Sequence, residues 1–239
     1  DKAIQTNKQT HFSCYMSTGL LHYYLISKDL KWANHIDKVS KKASSTLGFI
    51  QRNLRHCPSH CRRSAYIALV RSTLKNGSVV WNPHLQQDVD KLEKVQRKAA
   101  RFIKKDYHSR HKGAMTNMLH ELDLPTLQSR RKENRLCFMY KISKGLVPAI
   151  PATDHLTREV DKRQRKENPK YKDYETTNYI TKHQRLNSIF YKIISGKTTV
   201  YTNSFFPRTI FDWNQLGDTS QPTIDSFRKS VQGTLALTH

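Results

Sequence analysis

Apolar residues recur every three or four positions along most of this chain, as they do on the buried face of an amphipathic helix. Residues 34–54 show the pattern most clearly, with Ile36, Val39, Ala43, Leu47 and Ile50 on one face. The same spacing predicts helices over about 58–75, 86–105, 115–122, 125–144 and 223–235, and a short helix that carries Trp213. The chain is therefore predicted to be mainly α-helical.

Some local predictions refine this outline. The run at 23–26 is typical of the end of a strand, and residues 79–81 indicate a short buried turn or strand. In the helix over 58–75 the residues expected to point inward are Ala65, Leu69 and Thr73. Large aromatic side chains next to proline and isoleucine usually belong to a core. We therefore assign five of them to the core: Trp32, Trp81, Phe205, Phe206 and Trp213.

The composition divides the chain into four parts. Residues 1–28 are weakly patterned and form a remnant or poorly defined N-terminal segment, whereas residues 29–150 form a basic helical domain. Residues 151–175 carry seven basic and six acidic residues with few apolar ones, which is typical of a linker. Residues 176–239 are less basic and richer in aromatic residues, and they form a small α-rich C-terminal module.

The net charge indicates a polyanionic partner. Among 239 residues there are 42 Lys and Arg against 19 Asp and Glu, a formal net charge of +23. Residues 31–150 hold 25 of these basic residues and 8 of the acidic ones, so the excess lies in one segment. Such an excess opposes compactness unless anions screen it, which favours nucleic acid as the partner. No apolar run reaches the length of a membrane span, and we expect no membrane partner.

The predicted helix over 86–105 concentrates this charge. Lys91, Lys94, Lys98, Arg101 and Lys105 are separated by three, four, three and four residues, so they share one face, which we call the cationic stripe. An apolar seam of Val89, Leu92, Val95 (or Ala99), Phe102 and Ile103 runs beside it. A helix anchored by its seam presents such a stripe to a phosphate backbone. The alternative is a solvated face without a partner. Four further cations complete the predicted interface: Arg97, Arg130, Arg131 and Arg135.

Catalytic and metal-binding patterns are missing from the sequence. His56, Cys57, His60 and Cys61 are four zinc-ligand types within six residues, but zinc sites need two separated pairs, so we interpret them as a helix junction. Asp88 and Asp90 lie at a helix start, where acidic residues complement the helix dipole. We find no paired aspartates of the kind a two-metal polymerase uses. We therefore predict no catalytic residue, no metal ligand and no cofactor in this chain.

The order of several motifs is similar to a known pattern. In sequence order these are LKWANHI at 30–36, LGFIQRNL at 47–54, AYIALVR at 65–71, VWNP at 80–83, LEKVQRKAARF at 92–102, MYKI at 139–142 and SFFPRTI at 204–210. Together they resemble the region that follows the polymerase palm in reverse transcriptases of LINE-like (non-long-terminal-repeat, non-LTR) retrotransposons. The resemblance runs from about residue 25 to 227, and the ordered combination is specific although each motif alone is weak.

The resemblance implies a function for the chain. It would be the α-helical thumb and C-terminal region of an RNA-directed DNA polymerase, with residues 29–150 as the thumb-like domain. This region would grip the template–primer duplex through backbone contacts. The catalytic aspartates and their Mg would lie in the upstream palm and fingers of the parent polyprotein. These upstream domains would be the second partner of the chain, besides nucleic acid. Whether the chain is an enzyme thus stays uncertain, and alone it is expected to be inactive.

Three further expectations complete the interpretation. The chain starts with Asp1 and without a secretory signal, so we expect it to be part of a longer protein in an intracellular, nuclear compartment. Tyr24-Leu25 runs directly into residues 26–30 without the glycine that the family has there, which indicates a decayed or mis-spliced element copy. The alternative functions are therefore a basic helical structural or interaction module, or a non-functional transposon relic.

Overall fold

The computed structural model describes residues 10–15, 21–27, 31–158, 189–194, 196–216 and 219–236. The described chain is mainly helical, which confirms the predicted fold class. It divides into two compact units, Asp1–Arg131 and Lys132–His239. The division falls inside a long helix, whereas the sequence placed that whole helix in the domain 29–150. Its second half contributes Leu136, Met139 and Ile142 to the core of the second unit.

The first unit begins with an antiparallel hairpin of two strands, in which Thr10 pairs with Ile26. The second strand matches the strand end predicted at 23–26, while the first strand and the pairing were not predicted. The elements of this unit are β1 Thr10–Tyr15, β2 Leu21–Ile26, α1 Ala33–Asn53, α2 Ser59–Ala65, a π-helical segment Tyr66–Arg71, α3 Ser72–Lys75, α4 Gln86–Lys104 and α5 Ala114–Glu121, followed by the start of α6 Leu127–Ser143.

Packing of α1 against α4 forms the centre of this unit. The predicted inner face of α1 is confirmed, since Ile36, Ala43, Leu47 and Ile50 are buried and Val39 is partly buried. The apolar seam of α4 is also buried, as predicted. Each fully buried Leu or Ile contributes about 1.5–3 kcal/mol to the free energy of unfolding. The burial of these two faces therefore fixes which side of α4 is left for solvent.

The segment between α2 and α3 corrects one prediction. The buried residues are Arg62, Tyr66, Val70 and Leu74, whereas Leu69 is exposed. In an α-helix with 3.6 residues per turn, a row spaced by four residues drifts by about 40° per step. The wider π-helical turn over Tyr66–Arg71 offsets this drift and keeps the row facing the core. The prediction is wrong by one residue along the helix, because the row that faces the core is Tyr66, Val70 and Leu74 and not Ala65, Leu69 and Thr73.

Trp81 lies at the middle of this core and is fully buried. Its indole N–H donates a hydrogen bond to the carbonyl of Asn76 at 2.8 Å. Residues 76–80 form a turn rather than a strand, and Val80 on that turn is exposed. The prediction of a short buried element is therefore correct for Trp81 and wrong for Val80.

His35 packs beside Trp81 and Tyr24, with ring centroids 5.3 and 5.4 Å away. Burial, together with the charge of Lys38, lowers the pKa of His35 from 6.5 to about 4. The unfolded chain takes up this proton near pH 6.5, whereas the folded chain excludes it until about pH 4. Burial of the neutral His35 therefore makes its full contribution to the free energy of unfolding above about pH 6.5. We expect the free energy of unfolding to decrease by up to about 3 kcal/mol as the pH falls from about 6.5 to about 4.

Denaturant unfolding followed between pH 4 and pH 7 would measure this effect. The variant His35→Gln keeps an acceptor for the Leu25 amide, which lies 3.4 Å from the His35 Nδ1 atom. This variant should lose that part of the pH dependence. Equal slopes of stability against pH in the two proteins would show that His35 does not titrate as proposed.

The second unit is built around α9 and α10. It contains the second half of α6, then α7 Ala152–His155, α8 Thr199–Thr202, α9 Phe205–Asn214 and α10 Ile224–Ala236. Trp213 and Phe227 are buried and stacked, with ring centroids 5.3 Å apart. The inner face predicted for α10 is confirmed at Phe227, Val231 and Leu235. The helix around Trp213 begins earlier than expected, at Phe205.

Two of the five predicted core aromatics, Trp81 and Trp213, are buried. Trp32, Phe205 and Phe206 are partly buried and pack against the two cores. Of the predicted linker 151–175, residues 159–175 lie outside the described residues, so its extent stays a prediction. The same holds for residues 176–188 at the start of the predicted C-terminal module.

Candidate nucleic-acid interface

Two polar side chains on the buried face of α4 determine how this helix is oriented. Gln96 is fully buried; its side-chain carbonyl accepts a hydrogen bond from the Tyr66 hydroxyl at 2.8 Å, and its amide donates to the carbonyl of Pro125 at 3.0 Å. The carboxylate of Glu93 accepts a hydrogen bond at 2.8 Å from the backbone N–H of Gln128, in the first turn of α6. A carboxylate there complements the helix dipole. These bonds fix the rotation of α4, so the opposite face points to solvent.

The middle of the cationic stripe is exposed, as the sequence predicted. Lys94 and Lys98 lie one turn apart on the solvent side of α4, and Arg97 lies between them, partly buried. Val95 and Ala99, next to them in sequence, point into the core. This part of α4 therefore packs its apolar side chains into the core and exposes its lysines to solvent.

The beginning of the stripe is different, because Lys91 is already ion-paired. Its ammonium group lies 2.8 Å from the carboxylate of Asp37 on α1 and 3.4 Å from that of Asp88. The hydrogen bond to Asp37 raises the pKa of Lys91. Lys91 is exposed, but two carboxylates compensate its charge locally. It is therefore the weakest candidate of the stripe for a phosphate contact.

The end of the stripe lies where α4 terminates. The Asp106 amide bonds to the carbonyl of Arg101 at 3.1 Å and the Lys105 amide to that of Phe102 at 3.3 Å, which is a Schellman motif. Lys105 takes the left-handed position, with φ 56°, that glycine usually occupies. For a residue with a side chain this costs about 1–2 kcal/mol. Such strain is characteristic of functional positions.

The loop after α4 is held by local hydrogen bonds. The side chain of Arg101 donates to the carbonyl of Ser109 at 3.3 Å. Hydrogen bonds from Ser109 and from the amide of His108 lower the pKa of Asp106 to about 2. These contacts fold the loop back on the end of α4, beside Lys105.

Two residues predicted for the interface are corrected by their burial. Arg131 is 2% exposed and lies 3.9 Å from Glu93 within the first unit. Arg135 is also 2% exposed and forms an ion pair with Asp212 within the second unit. Buried guanidinium groups held by carboxylates cannot reach a nucleic-acid backbone. Arg130 is partly buried and stays a predicted contact. The sequence could not separate these three because the partners of Arg131 and Arg135 are far away in the chain.

A cavity next to the stripe was not predicted. It has a volume of about 700 Å³, opens to solvent, and is lined by Lys98 and Lys105 of the stripe together with Gln51, Arg55, His56, Arg62, Phe102 and Tyr107. Arg55 and His56 follow α1, and Arg62 belongs to α2. The sequence signal for this cavity is the density of basic residues around the junction at 55–63.

Within the described residues, no three His, Cys, Asp or Glu side chains converge as ligands of a metal ion. None of the helices in the described ranges is both long and apolar enough to cross a membrane.

Comparison with known proteins does not identify a relative. No protein-family model, curated protein or solved structure matches this chain.

Proposed function

We propose that this chain is a non-catalytic part of an RNA-directed DNA polymerase of the LINE-like type, and that it grips a nucleic-acid duplex through backbone contacts. The observation that carries the proposal is the exposed part of the cationic stripe on a helix whose rotation is fixed by its buried face. Lys94 and Lys98 supply exposed ammonium groups, with the partly buried Arg97 and Arg101 beside them. Charges presented in a row on a rigid helix suit the regular spacing of phosphates.

The composition supports the same proposal. The formal net charge of the chain is +23, and residues 31–150 account for +17 of it, from 25 basic and 8 acidic residues. A duplex held by its backbone is recognised by shape and charge, independently of sequence. In the parent polymerase, catalysis would belong to the upstream palm with its Mg, and this region would hold the product duplex behind it. The location would be intracellular and nuclear.

Salt dependence tests the proposal directly. If each residue of the stripe other than Lys91 contacts one phosphate, the logarithm of affinity should fall with the logarithm of salt with a slope of about −3.6. The affinity for an RNA–DNA hybrid would then fall about 150-fold between 50 and 200 mM salt. Fluorescence anisotropy with a labelled hybrid measures it. A flat response, or little binding at low salt, would exclude a duplex-gripping function.

One observation favours a second candidate, a basic structural or interaction module. Lys91, Arg131 and Arg135 are engaged by carboxylates of the chain itself, so part of the predicted interface has a structural role. Such a module would bind an acidic protein or no partner, and it would show no preference for a duplex over an acidic polypeptide. Competition between the RNA–DNA hybrid and polyglutamate of equal charge separates the two candidates.

A further inference from the structure

Arg62 is a buried cation that makes an unusual set of contacts. It is 4% exposed, and its Nε and Nη1 atoms have no hydrogen-bond acceptor among the described residues. The carbon of its guanidinium group lies over the ring of Phe102, 5.5 Å from the centroid. A ring below the guanidinium plane does not satisfy the N–H donors within the plane.

The charge of Arg62 is not balanced by a carboxylate of the described residues. Within the described part of the chain, no carboxylate forms an ion pair with Arg62, and none lines the cavity in which it lies. Burying a charge without a counter-ion is costly, so such groups are retained where a ligand supplies the opposite charge. The orphaned donors therefore indicate an anion that the chain binds from solution.

The surroundings of Arg62 define the chemistry of that anion. Arg55, Lys98 and Lys105 line the same cavity, and His56 adds a further donor. Several cationic donors that converge on one space suit a tetrahedral, doubly charged group with many acceptor oxygens, which is a phosphate. Lys105 is held on this wall by its strained left-handed backbone. Tyr107, which is half exposed, adds an aromatic surface at the rim.

We propose that the cavity between the end of α1, α2 and the end of α4 is a binding site for a single phosphate group, with Arg62 at its base and Arg55, Lys98 and Lys105 at its walls. The phosphate would be inorganic phosphate or the terminal phosphate of a nucleic-acid strand. This proposal goes beyond the duplex grip, because its ligand is one phosphate group in a cavity rather than a row of phosphates on a helix face.

The first test uses the full chain and inorganic phosphate. Isothermal titration at constant ionic strength should show saturable binding, and phosphate should raise the thermal midpoint relative to chloride. Arg62→Met keeps an unbranched stem like that of arginine but removes the guanidinium donors. It should therefore weaken phosphate binding about tenfold or more. The matched control is Arg52→Met, an exposed arginine of α1 that does not line the cavity; it should bind phosphate like the unmodified chain.

Arg55→Met supplies a second variant that does not alter the core, since Arg55 is exposed. It should also weaken phosphate binding, so the proposal can be tested even if Arg62→Met fails to fold. Absence of phosphate binding by the unmodified chain, or equal binding by Arg55→Met and Arg52→Met, would overturn the phosphate site.

The source of the phosphate is distinguished with hairpin oligonucleotides that carry either a 5′-phosphate or a 5′-hydroxyl. Tighter binding of the 5′-phosphate form that is lost in Arg62→Met assigns the site to a strand end. Equal binding of the two hairpins, together with binding of inorganic phosphate, assigns it to free phosphate. Duplex binding without phosphate binding overturns this site alone, whereas phosphate binding without duplex binding contradicts only the proposed grip.

Discussion

Replacing Lys91, Lys94, Lys98, Arg101 and Lys105 with Gln should lower the affinity for an RNA–DNA hybrid by at least about 100-fold at low salt. The slope of log affinity against log salt should become flatter by about 3.6 if each residue other than Lys91 contacts one phosphate. The helix itself should persist, because its apolar seam and the hydrogen bonds of Glu93 and Gln96 are unchanged. Fluorescence anisotropy measures the affinity, and circular dichroism measures the helix content.

The stripe contains its own matched control. Lys91 and Lys94 are both exposed lysines of α4, three residues apart, but only Lys91 has an ion pair among the described residues, with Asp37 and Asp88. Lys94→Gln should therefore reduce the salt slope by about 1, and Lys91→Gln should hardly change it. If the five-residue variant keeps its duplex affinity, the stripe is a solvated face and the proposed grip is wrong.

The second large effect is expected on stability, in the second unit. Asp212 on α9 is mostly buried and binds two cations of α6, Lys132 at 2.9 Å and the buried Arg135. The variant Asp212→Asn removes the charge that both cations share while it keeps the shape of the side chain. Removing one partner of a buried ion pair leaves an imperfectly compensated charge, so the free energy of unfolding should decrease by about 3–5 kcal/mol.

Denaturant unfolding measures this loss, and amide hydrogen exchange should show faster exchange in α9. The control is Asp225→Asn, which removes an aspartate that pairs with Arg228 at 3.0 Å but is highly exposed. Exposed pairs contribute little, so we expect a change of about 0.5 kcal/mol or less. Equal effects of the two variants would mean that the contact between Asp212 and Arg135 is no stronger than a surface pair.

The same ion pair explains why Arg135 differs from the stripe. Arg135→Gln should reduce stability like Asp212→Asn, and it should leave the salt slope of duplex binding unchanged. Lys94, Arg135 and Arg62 thus represent three different positions of a cation: exposed on α4, buried with a carboxylate, and buried at the base of a cavity. Only the first position supports the proposed grip.

Much of the fold could be predicted from the sequence, because the buried face of a helix repeats locally. The spacing of Ile36, Ala43, Leu47 and Ile50 predicted α1, and the apolar seam predicted α4 nearly to its last residue. The final helix followed from Phe227, Val231 and Leu235 in the same way. These predictions need only the period of the helix and the preference of apolar groups for the interior.

The relation of charges to their partners could not be predicted in this way. Lys91 meets Asp37 across 54 residues of sequence, and Arg135 meets Asp212 across 77. No local pattern reports such pairs, since they form only when distant helices pack together. The rotated face over Tyr66–Arg71 also depends on tertiary packing, which favours the π-helical turn where Tyr66 reaches Gln96.

The amino-acid sequence by itself determined that the chain is helical, that its positive charge is concentrated in one segment, and that one helix carries five cations on one face. These properties follow from composition and short-range spacing. Only the tertiary structure decided which cations are exposed, which are neutralised, and that Arg62 lies buried in a basic cavity where no described carboxylate pairs with it. The physical reason is that burial and ion pairing depend on distance in space, which sequence neighbours do not fix.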